Sequence, residues 1–163
     1  MVARKGTPGR PWRWLDDPQR RARLEADARR ELPDLRYRHR QRTSGPVDIW
    51  EATVIVDHDV RRKVTIEFER RLPSWPHVYA DGPTDSPHRY NERGRTTLCL
   101  WKPGDPPDKR WKVEDGLLAL FGIAAHHLFK EHWWREHDEW LGEEAPHDDD
   151  IREPVPAGRE ESA

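Results

Sequence analysis

Residues 47–72 constrain this chain most. From Val47 to Asp57, Trp50, Ala52, Val54 and Val56 recur at every second position, with Ile49 and Ile55 on the opposite side. After Asp57-His58-Asp59, the run from Val60 to Leu72 alternates again: Val64, Ile66 and Phe68 against Thr65, Glu67 and Glu69. A period of two is that of a strand with one buried face. A turn this short joins only antiparallel neighbours. The chain must therefore contain a hairpin with an apolar face, and that face needs a cover.

The cover is predicted over residues 113–135. Leu117, Phe121, Ala124 and Leu128 form a helical stripe that Leu120, Ile123 and Trp134 widen. A first helix is predicted over 18–32. Asp17 caps it, Pro18 takes the first helical position, and Leu24, Ala28 and Leu32 share one face before Pro33 ends it. Pro73-Ser74-Trp75-Pro76 breaks the chain, and residues 77–80 form a short third strand. Residues 81–96 read as a long turn-rich loop, a length that in a compact domain usually serves function. Residues 97–101, which hold the sole cysteine, are the expected fourth strand, short or irregular. The expected class is α+β: an N-terminal helix at one end, a four-stranded antiparallel meander, and a long C-terminal helix packed across the sheet. The expected boundaries are a basic arm at 1–15, a single domain at 16–142 and a mobile acidic tail at 143–163.

Composition narrows the function classes. The chain has 163 residues, enough for one domain with tails. Only 34% are hydrophobic, but nine Trp supply large apolar surfaces for a core. No apolar run reaches the roughly 20 residues of a membrane span, and no apolar segment follows the N-terminus as a secretion signal requires. A cytoplasmic protein without a membrane partner is expected. One cysteine excludes an intrachain disulfide and any zinc site built on several Cys. Residues 1–42 carry 13 Lys/Arg against 6 Asp/Glu, whereas residues 136–163 carry 2 against 11. The basic residues are mixed with acids along a helix and have few aromatic neighbours, which argues for a solvated surface over a nucleic-acid site.

Cys99 is the first candidate for chemistry. A lone buried Cys is commonly an inert small hydrophobe. Cys99, however, lies between a 16-residue polar loop and a proline-rich turn, which puts it at the rim of the fold. The loop supplies His88 and Asn91, eleven and eight residues before it. An Asn there places an amide N–H within reach of an oxyanion at the sulfur, as acyl transfer needs.

Helix, hairpin, third strand, Pro73-Ser-Trp-Pro76, His88-Arg-Tyr-Asn91, Leu98-Cys-Leu-Trp101, Pro-rich turn, Trp111 and helix follow in that order. Over residues 18–141 this order resembles ubiquitin-conjugating enzymes and their bacterial relatives. In that family a His-Pro-Asn motif precedes the active-site Cys, and the Cys sits between aliphatic residues. Leu98-Cys-Leu-Trp-Lys-Pro-Gly-Asp-Pro-Pro107, Glu131-His-Trp-Trp-Arg135 and Gly142-Glu-Glu-Ala-Pro-His147 resemble the short conjugating-enzyme-like proteins of antiphage operons, those of cyclic-oligonucleotide (CBASS) defence above all. The resemblance implies catalytic roles for Cys99, Asn91 and His88, without cofactor or metal. It implies a thioester between Cys99 and the C-terminus of a partner, a cGAS-like nucleotidyltransferase or a ubiquitin-like protein, with an activating enzyme as a further partner. The sequence departs from the family where Arg89 and Tyr90 separate His88 from Asn91 and no Pro follows the His. Asn91, at the family spacing, is the firmer correspondence. The acidic residue that assists the incoming lysine has no clear counterpart; Asp105, Asp108 and Asp115 are candidates.

Four histidines, His126, His127, His132 and His137, lie on or near the long helix. One of them is a candidate base for Cys99. His127 and Glu131, four apart, share a face but lack the spacing of a zinc protease. The competing readings are a catalytically silent binding module on the same fold, against which Cys99 argues because silent versions typically lack that Cys, and a small histidine nuclease built on His88 and Asn91, which lacks the second His and the metal carboxylates such a site needs.

Overall fold

The computed structural model describes residues 13–70, 75–92, 94–102 and 104–142. Most of the arm at 1–15 and the tail at 143–163 lie outside them. The described chain already contributes Leu15, in a 3-10 turn at Arg13–Asp16, to the core.

Helix α1 spans Pro18–Glu31, and Asp17 Oδ1 accepts from the amides of Gln19 at 2.9 Å and Arg20 at 3.4 Å. Four strands follow: β1 Arg36–Arg42, β2 Gly45–Asp57, β3 Val60–Glu69 and β4 His77–Ala80. They form one antiparallel meander in the order β1-β2-β3-β4. A separate hairpin pairs β5, Arg89–Glu92, with β6, Arg95–Leu98, across Gly94, whose φ of +77° suits glycine. Helix α2, Gly116–His137, packs on β2 and on α1.

The meander has the expected number of strands but not the expected members. The segment before Cys99 belongs to the second, two-stranded sheet, which occupies part of the predicted loop. The fourth member of the meander is β1, where no strand was predicted. Its sequence, Arg-Tyr-Arg-His-Arg-Gln-Arg, has no apolar alternation because it is an edge strand with mostly exposed side chains. It is fixed by polar bonds instead. Tyr37 donates to the buried Asp48 at 2.6 Å, His39 Nδ1 lies 3.0 Å from the same carboxylate, and Arg42 reaches Glu67 at 2.7 Å.

Trp50, Ala52, Val54 and Val56 are buried with Val64, Ile66 and Phe68, as their alternation requires, while Ile55 on the other face is 63% exposed. Leu117, Leu120, Phe121, Ala124 and Leu128 of α2 close this core. At about 1.5–3 kcal/mol for each large side chain buried, this layer is the main stabilising term. Trp50 Nε1 donates to Glu25 of α1 at 2.8 Å, so the burial leaves no indole donor stranded. Trp111 packs on Phe68 and donates to the Gly116 carbonyl at 2.8 Å, which fixes where α2 begins.

Candidate active site

Cys99 follows β6 directly. Its amide donates to the His88 carbonyl at 3.0 Å, and its Sγ is 3.8 Å from the Trp101 carbonyl oxygen. The side chain is half-buried, a reduced thiol in the wall of two recesses. The turn after it is closed by Asp105, which accepts from the Lys102 amide at 2.8 Å. Burial pushes the Cys99 thiol up, and the Asp105 charge adds to the shift. The thiolate is thus scarcer at neutral pH than the few per cent of a free thiol.

The first recess, ≈ 170 Å³, is polar. Cys99, Lys102 and Asp105 wall one side, His126, His127 and Lys130 of α2 the other, with His88 and Trp140 between. His88 is buried and its ring lies 3.7 Å from that of Trp140, centroid to centroid. The second recess, ≈ 420 Å³, is aromatic: Trp75, Tyr90, Leu98, Leu100 and Trp101 line it beside Cys99. Trp75 and Trp101 lie 6.1 Å apart, and the Arg110 guanidinium sits 4.4 Å above Trp75. A sulfur between an aromatic trough and a polar pocket can hold an extended acyl chain on one side and admit an amine on the other.

Behind the polar recess lies a buried ion pair. Arg89 Nε and Nη2 each donate to Glu131 at 2.8 Å, and Arg89 Nη1 reaches the Ala80 carbonyl at 3.3 Å. The side chains are 1% and 0% exposed. Burial alone would raise the Glu131 pKa, but bonds from His127 and Arg89 outweigh it and hold it at about 2. His127 Nε2 lies 3.3 Å from Glu131 Oε1. Arg135 binds Asp85 at 2.8 Å and the Pro83 carbonyl at 3.2 Å. The start of β5 is thereby clamped to α2.

The structure brings Cys99 and His88 together through a backbone bond and a shared recess. Asn91 it places elsewhere: on β5 opposite Thr96, exposed, and lining neither recess. Of the acidic candidates only Asp105 borders the sulfur. Asp108 is exposed, and Asp115 accepts from the Lys112 amide at 2.8 Å in the turn before α2. Neither Trp140 nor the role of Arg89 carries a local pattern that could have singled it out. His127 and Glu131 stood out only by their spacing, and Glu131 turns both oxygens to Arg89. Among the described residues no group of three or more His, Cys, Asp or Glu is arranged for a metal. Among them, too, no helix is long and apolar enough to cross a membrane.

An N-terminal helix, an antiparallel meander, a cysteine just beyond it and a long closing helix make the layout of a ubiquitin-conjugating-enzyme-like protein. A family model described as Type II CBASS E2 protein matches residues 27–148, and the chain belongs to that family. Membership makes it an E2-like protein of CBASS antiphage systems and implies protein partners within such a system. Searches of curated proteins and of solved structures found no match.

Proposed function

We propose that this protein is an acyl carrier of the ubiquitin-conjugating type. Cys99 takes the C-terminal acyl group of a partner protein as a thioester and passes it to an amine. The carried partner in this reading is a cGAS-like nucleotidyltransferase, which the transfer primes for antiphage signalling. The observation that carries the reading is the position of the sole cysteine in the wall of both recesses, in a chain of the E2 family.

The Cys99 thiolate attacks the carbonyl carbon of an activated acyl donor, a thioester on an activating enzyme, and displaces that enzyme's thiolate. The extended acyl chain lies in the aromatic trough along Trp75, Tyr90 and Trp101. The sulfur is a good leaving group, so the acyl group stays reactive towards an amine. His88 holds the sulfur's strand through its carbonyl. Asn91 serves the oxyanion only if the β5–β6 hairpin closes over the loaded thioester.

The test is co-expression with the genes that flank its own. A denaturing gel without reductant should show a higher-mass species containing this chain, which disappears on adding excess thiol. Absence of any such species with every neighbour, an activating enzyme included, would favour the silent binding module.

A further inference from the structure

We propose that His127, oriented by Glu131, is the proton carrier for the reaction at Cys99; this rests on the acyl-carrier reading above. His127 is a buried polar residue on the core-facing stripe of α2. Its ring lines the recess that holds the sulfur. Glu131 does not need it for neutralisation, because Arg89 already binds both carboxylate oxygens.

The arrangement favours one tautomer. Glu131 stays ionised down to pH about 2 and is therefore only an acceptor. Nε2 lies 3.3 Å from it, a contact that favours the hydrogen on Nε2 and the lone pair on Nδ1. The contact is long, and Nε2 is buried with no other hydrogen-bond partner among the described residues. The charged and titratable groups that face this ring are few. Glu131, His126 and Lys130 come from its own helix, His88 and Arg89 from the start of β5, and Lys102 and Asp105 from the turn after Cys99. A base matters here because burial makes the thiolate scarce.

In loading, His127 takes the Cys99 S–H proton, the thiolate forms the new C–S bond, and the departing donor thiolate receives the proton. In discharge, a primary amine attacks the thioester carbonyl. The C–N bond forms, the C–S bond breaks, the amine proton passes to His127, and from there it returns to the Cys99 thiolate.

The full chain is loaded with a synthetic Gly-terminated peptide thioester of mercaptoethanesulfonate, and discharge to free lysine, with the rate corrected for the unprotonated amine, is followed by intact mass across pH 5–9. The wild-type rate should show one pH inflection that belongs to the base. His127→Ala should discharge ~10²-fold more slowly, lose that inflection and regain rate with imidazole in the buffer. His127→Gln, closer in size and still polar, should show the same slowing and loss if the Ala variant folds poorly. A loaded variant with the wild-type rate and profile overturns this inference alone, as does slowing that keeps the inflection and ignores imidazole. A wild-type chain that never loads at Cys99 overturns the acyl-carrier reading together with it.

Discussion

The amide of Cys99 donates to the carbonyl of His88 at 3.0 Å, one step beyond the Arg89–Leu98 pair that opens the β5–β6 ladder. Eleven residues of sequence thus collapse into one cross-strand contact. His88 reaches the sulfur's neighbourhood by register, whatever stands between it and Asn91. The next residue, Arg89, points the other way into Glu131 of α2. The same short strand therefore sets the sulfur on one side and the buried charge that orients His127 on the other.

Breaking that clamp should be costly. Arg89→Met leaves Glu131 charged and buried, and is expected to destabilise the fold by ~3–5 kcal/mol in chemical denaturation. Arg89→Met with Glu131→Leu should recover most of the loss, because no uncompensated charge remains. The pair also contributes to acid sensitivity. With its folded pKa lowered to about 2 from 4.5, Glu131 stabilises fully above pH 4.5, and that stabilisation is lost as pH falls towards 2. The double variant should lose this component of the pH dependence. A single variant as stable as the wild type would contradict the account of the clamp.

The thiol should titrate above the ~8.5 of a free cysteine, since burial and Asp105 both disfavour the thiolate. Asp105→Asn removes the charge but keeps an oxygen for the Lys102 amide. Alkylation of Cys99 by iodoacetamide should then reach half its maximal rate at lower pH than in the wild type. An unchanged midpoint would mean that burial alone sets the shift.

Asn91→Ala should leave stability within ~0.5 kcal/mol, because the side chain is exposed on a short hairpin. Transfer from loaded Cys99 should slow by less than tenfold, as both recesses form without it. A fall of ~10²–10³ would give Asn91 the oxyanion role that the family resemblance implies.

How far these residues could be read in advance follows from the range of their interactions. The Asp17-Pro18 cap, the 47–69 hairpin and the apolar stripe of α2 are local patterns, and the fold shows each of them. Strand β1 was invisible, since its residues pair with Asp48, Glu51 and Glu67 rather than with apolar partners. The β5–β6 hairpin was hidden in a polar loop because only four residues on each side pair, and Arg89 owes its burial to a carboxylate 42 positions away. Cys99 stood out by its flanks. The histidine, carboxylate and Trp140 around it meet only in three dimensions.

The most direct measurement replaces sulfur by oxygen. Cys99→Ser, co-expressed with the neighbouring gene products, should trap the carried protein as an oxyester that survives excess thiol and is cleaved by alkali, with the linked peptide mapping to residue 99 by mass spectrometry. Cys99→Ala should form no adduct while folding normally, because a half-buried sulfur leaves little cavity when removed. The same adduct on the Ala variant, or a link mapping to any other residue, would contradict the claim that this cysteine carries the acyl group.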